Sequence, residues 1–153
     1  MKKIKLTSKL FLAFALIFLM QGCETLIGPY SPTAYKYATS LKVETLALMS
    51  KATNSYSKHK DEVEKLTIEL NKAHEFVKGV PSNSISSKQW KILIKPDGKL
   101  IGKFWLKWKQ KTTLSKPFIS EFKKIVAESF DQIICLEVNK EKATDCLTIG
   151  ERK

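Results

Sequence analysis

Histidine occurs only twice and cysteine three times in the 153 residues, and neither falls at metal-ligand or C-x-x-C spacing. His59 and His74 lie about four helical turns apart, too far to share one ion from a straight helix. A glycine-rich phosphate cradle, an H-E-x-x-H pair and a G-x-S-x-G elbow are also missing. These absences argue against an enzyme and against a resident metal or cofactor. No internal repeat or low-complexity tract occurs, which points to one core and not to a solenoid. The longest leading apolar run, residues 10–20, is much shorter than the roughly 20 residues a bilayer-crossing helix needs. Acids are scarce as well: 15 Asp and Glu stand against 27 Lys and Arg, a formal net charge of +12.

What is present begins at the amino end. Lys2, Lys3, Lys5 and Lys9 precede the apolar run, and Gly22 supplies a small residue before Cys23. That order of positive charge, apolar stretch and small residue is the anatomy of a secretory signal peptide. Met20-Gln21-Gly22-Cys23 resembles the lipobox of bacterial lipoproteins, a likeness confined to the first 25 residues. The resemblance implies a lipid on the Cys23 thiol, cleavage by signal peptidase II between Gly22 and Cys23, and a further acyl group such as palmitate on the new amino end. Several chains, each contributing about 0.8 kcal/mol per buried methylene, make attachment to a membrane effectively permanent. In Gram-negative members of the family an aspartate after the cysteine tends to retain the protein at the inner membrane. Glu24 stands there instead. The implied location is therefore the periplasmic face of the cell outer membrane, with the inner membrane or a Gram-positive cell surface as alternatives. On this reading residues 1–22 are the signal peptide, 23–32 a lipidated tether broken by Gly28, Pro29, Ser31 and Pro32, 33–139 one helical domain and 140–153 a tail.

Four of the 27 basic residues lie in the leader and none of the acids does, so the remainder carries 23 against 15, a balance of +8. Export removes nucleic acid as the partner for this charge. Anionic lipid, lipopolysaccharide, peptidoglycan or an acidic protein remain, as does a merely soluble surface. With Cys23 lipidated, Cys135 and Cys146 are left in an oxidising compartment and can pair, although Cys135 also reads as a small buried hydrophobe among Ile133, Ile134 and Leu136.

Residues 33–78 contain neither proline nor glycine and place Ala38, Leu41, Thr45, Leu48 and Ala52, then Tyr56, His59, Val63, Leu66, Leu70, Ala73 and Val77, at steps of three and four. The pattern predicts one long helix, or two coaxial halves bent at the poor helix formers Thr53, Asn54 and Ser55, in preference to a hairpin there. Asp61 with Lys65 and Lys58 with Glu62 are spaced for ion pairs on a solvated face, and His59 falls on the apolar seam as a packed histidine. Gly79 and Pro81 end the helix. Ser86 or Ser87 can cap a short helix through Ile94, which Pro96-Asp97-Gly98 terminates. The alternative is a small β-hairpin around residues 91–105.

Residues 99–111 set Lys99, Lys103, Lys107 and Lys111 on one side of a helix and Ile101, Phe104, Trp105 and Trp108 on the other. Such a helix suits either an anionic membrane surface or partner or the core, with lysine stems covering apolar neighbours. The last helix is expected from Lys116 to about Asn139, capped by Ser115, with Phe118, Phe122, Ile125, Val126, Ser129, Ile133 and Leu136 inward and Phe130 and Ile134 beside them. The expected fold is all-α, a long N-terminal helix packed against a C-terminal helix with one or two short helices between. Its expected role is that of a membrane-anchored, non-catalytic envelope lipoprotein with a structural or protein-interaction task, by way of an envelope partner or a homodimer formed along an uncovered apolar seam. The alternative is a polyanion binder acting through residues 99–111.

Overall fold

A computed structural model describes residues 28–138 and Cys146. The lipobox with Cys23, and the tail apart from Cys146, lie outside the described residues. Helix α1 (Pro32–Ser50) starts where Ser31, in extended backbone, accepts the Ala34 N–H on its side chain at 3.3 Å. Pro32 occupies the first helical position, where its missing N–H costs nothing. Its buried side chains Ala34, Ala38, Leu41, Thr45 and Leu48 form one stripe.

The helix then stops. Single 3-10 turns at Lys51–Thr53 and Tyr56–Lys58 flank Asn54 and Ser55, whose ψ angles of 166° and 131° are extended. The chain reverses into α2 (Lys60–Gly79), which lies antiparallel to α1: Lys51 meets Glu62 at one end, and the Tyr37 and Phe76 rings sit 5.7 Å apart at the other. The expectation of a continuous or coaxial helix through 33–78 is thus corrected to a hairpin. Thr, Asn and Ser offer the backbone competing side-chain hydrogen bonds. Folding back also buries the α1 stripe and the Val63, Leu66, Leu70, Ala73 and Val77 stripe in one core. The apolar seam on which a homodimer was expected is therefore covered. Gly79 is the last helical residue and has no positive φ, so the stop comes from Val80 and Pro81 and not from a left-handed glycine cap.

The ion pairs shift with the hairpin. Glu62 bonds Lys51 at 2.6 Å and His59 at 2.7 Å in place of Lys58. Lys60 with Glu64 takes the role expected of Asp61 with Lys65.

Helix α3 (Ser84–Ile94) begins after Asn83, earlier than the Ser86 or Ser87 cap predicts, and Ser86 is buried inside it. Helices α4 (Ile101–Lys111) and α5 (Lys116–Val138) follow. The hairpin alternative at 91–105 fails, since those residues form α3, a turn and α4, with no strand among the described residues. On α5, Val126, Phe130, Ile133 and Leu136 are buried as expected, whereas Ile125 is exposed and Ile119 takes an inward place.

The fold is all-α, and the first long helix packs on the C-terminal one with shorter helices between. Helix α1 contacts α2 and α5, and α3 contacts the same two, so four helices close a ring of antiparallel neighbours. Trp90 meets Phe130 edge-on at 5.9 Å across the α3–α5 seam, and Lys42 pairs with Asp131 across α1–α5. No helix among the described residues is long and apolar enough to cross a membrane.

The bundle has two unlike poles. At one, Gly28 is buried so closely under the α2–α3 turn that a Cβ on it would stand 2.3 Å from the Pro81 carbonyl oxygen. Cys146 is disulfide-bonded to Cys135 at the same pole, buried against Leu136 with Ile85 beside it. The other pole is covered by α4.

Candidate functional site: the lysine-rich cap

Helix α4 lies over the end where α1 finishes and α2 and α5 begin. Its inward face is Ile101, Phe104, Trp105 and Trp108, the stripe legible in the sequence. Phe104 stacks on Phe118 at 6.1 Å and reaches Phe122 at 5.5 Å. Trp108 packs edge-on against Tyr56 at 5.5 Å and beside His59 at 5.7 Å, and its indole donates to the Asn54 carbonyl at 3.0 Å. Gly102 lets the turn before α4 close against the helix, because a Cβ there would meet the Lys95 carbonyl oxygen at 2.2 Å and that of Pro96 at 2.4 Å.

Two backbone bonds fasten the 51–59 reversal to the α4–α5 connection: Tyr56 N–H to Thr112 C=O at 2.9 Å and Leu114 N–H to Ala52 C=O at 2.8 Å. Thr112 holds φ at 64°, a conformation that a β-branched residue adopts only when its surroundings impose it. Thr112→Gly should therefore stabilise the domain by about 1 kcal/mol, read as a higher urea midpoint at unchanged slope. An unchanged midpoint would show that the strain is already relieved.

The sequence-predicted surface set is split by the fold. Phe104 and Trp108 are wholly buried and Trp105 is 8% exposed, so the aromatic half of residues 99–111 belongs to the core. The lysines stay outside, though not as one row. Lys99 precedes the helix, and Lys107 turns its amine over the Phe118 ring at 4.2 Å, a cation–π contact. Lys103 and Lys111 are exposed, and so are Lys109 and Lys116. Residues 95–116 hold seven lysines and a single acid, Asp97, which Lys95 takes at 3.4 Å. Among the described residues no carboxylate pairs with the other six lysines.

Leu106 and a cavity beside it were not legible as parts of a site. Leu106 is 49% exposed on the outer face of α4. With Lys109 it borders a cavity of about 240 Å³ between α2, the α3–α4 turn and α4, walled by Val63, Leu70, Ile94, Ile101 and Trp105. An apolar residue off the buried stripe and a glycine inside a helix were the available signals. Tyr56 also lines the cavity, and burial, with the Glu64 charge second, pushes its hydroxyl pKa up. Outside it, hydrogen bonds from Lys51 and then His59 hold the Glu62 carboxyl below its usual value.

Among the described residues no group of histidine, cysteine and carboxylate is placed to hold a metal. What the geometry offers is a positively charged cap with a small apolar cavity at its edge. No family model matches the chain, and no characterised protein or solved structure gives a match.

Proposed function

We propose that this chain is a lipid-anchored envelope lipoprotein without catalytic activity, a standing module that presents its α4 cap to another envelope component. The lipobox at residues 20–23 supplies the anchor. One observation carries the rest: the chain enters the bundle at Gly28, at the pole opposite α4. Four residues lie between Cys23 and Gly28, five steps with a reach of at most about 18 Å, so the Gly28 pole rests near the lipid. The 20 residues of α2, at about 1.5 Å each, hold the cap roughly 30 Å further out. The unpaired lysines then face away from the anchoring bilayer. This favours a protein-interaction role over polyanion binding at that same membrane, and burial of Phe104, Trp105 and Trp108 takes away the rings that would insert into lipid.

The anchor is tested by growing cells with an alkyne fatty acid and conjugating a dye to the recovered protein. Wild type is expected to label and to sediment with membranes, whereas Cys23→Ala is expected to stay unlabelled and, lacking the cysteine before which the cut falls, to keep its leader. A wild-type product that keeps its initiating methionine and an unmodified Cys23 thiol would overturn the anchor and the location together.

A further inference from the structure

Resting on the protein-interaction reading, we propose that the cavity beside Leu106 and the lysines around it dock a segment of another polypeptide, one that is acidic overall and carries a single apolar anchor side chain. The cavity's walls are mainly apolar: of the polar groups lining it, Thr67 already donates its hydroxyl to the Val63 carbonyl at 2.7 Å, and the Trp105 indole N–H is buried without a partner among the described residues. At about 240 Å³ it lies below the roughly 300 Å³ at which small-molecule sites begin, so it suits one inserted side chain better than a cofactor. A buried anchor ringed by near-neutral or charged contacts is how protein interfaces concentrate their affinity.

Charge decides what goes inside and what stays on the rim. A carboxylate entering the cavity would lose its water among Val63, Leu70, Ile94, Ile101 and Trp105, beside a Tyr56 hydroxyl that already feels the Glu64 charge. An apolar group meets neither cost. Outside, Lys109 borders the mouth and Lys103 shares the outer part of α4, both exposed and both lacking a carboxylate partner among the described residues. Complementary negative charge on the incoming segment raises its encounter rate and fixes its register. A membrane fits this surface poorly, because Leu106 is the one large apolar side chain exposed on α4 and interfacial binding scales with inserted apolar area.

The test uses the full-length lipidated protein in neutral detergent micelles. The probe is a short fluorescent peptide alternating glutamate and alanine with one central tryptophan. Anisotropy titration is expected to show binding that weakens about tenfold when the peptide's tryptophan becomes alanine, and again when its glutamates become glutamines. K103E/K109E should weaken the tryptophan peptide about tenfold, and T67F, which fills the cavity, should erase the difference between the tryptophan and alanine peptides. The surface lysine pair carries the test if T67F does not fold. Equal affinity of the two peptides, indifference to K103E/K109E, or no binding at all would overturn the proposal. Capture of phosphatidylglycerol vesicles in preference to the peptide would assign the cap to lipid headgroups and overturn it too. C23A protein should bind the peptide as wild type does, so loss of the anchor and loss of the docking site are read separately.

Discussion

Trp108→Ala is expected to lower the unfolding free energy by about 3 to 5 kcal/mol, the range for deleting a large buried aromatic. Trp108 is wholly buried and touches Tyr56, His59, Phe104 and Trp105. It is also the side chain through which α4 holds the 51–59 reversal, by way of the Asn54 carbonyl. Loss of the ring therefore loosens two connections at once. Against a total stability of about 5 to 15 kcal/mol, this is a large fraction of what holds the domain folded. Urea denaturation followed by circular dichroism reads the effect as a lower midpoint. Trp108→Phe should recover most of it, because Asn54 is exposed and its carbonyl can bond water when the indole N–H is gone. A loss under about 1 kcal/mol for the alanine variant would mean that α4 does not unfold with the bundle.

Breaking the Cys135–Cys146 bond is expected to cost about 3 kcal/mol, the chain-entropy value for a loop with ten residues between its cysteines. The bond holds Cys146 wholly buried against Leu136, beside Ile85 at the start of α3. Reduced and oxidised protein should differ in urea midpoint, and Cys135→Ala/Cys146→Ala should match the reduced form. Hydrogen exchange is expected to rise at residues 84–86 and 133–138, with the α4 amides keeping their protection. Identical midpoints for the two redox forms would show that the cross-link adds nothing to the packing around it.

The all-α class was legible because the apolar residues of α2, α4 and α5 recur at helical spacing. The stripe Ile101, Phe104, Trp105 and Trp108 needed no tertiary knowledge to be seen as one face. Periodicity is blind to direction, however. The stripes of α1 and α2 look the same whether the chain runs on or doubles back, and the weak propensity of Thr53, Asn54 and Ser55, with a one-residue slip of the apolar phase before Tyr56, marked the place without giving the direction. The lysines suffered a similar loss. Their four-residue spacing promised a single row, but the helix starts at Ile101, which leaves Lys99 off it, and the Phe118 ring draws Lys107 aside. The cavity beside Leu106 joins residues from α2, α4 and the turn before α4, a convergence that no local pattern encodes.

The seating of Gly28 under Pro81 has a mechanical consequence. Force applied at the amino end and resisted at the α4 pole loads α1 along its length, and α1 packs on both α2 and α5. Traction must slide α1 against two neighbours at once instead of unzipping one contact at a time. A domain loaded in shear at its base can bear tension while the surface at its summit keeps its shape.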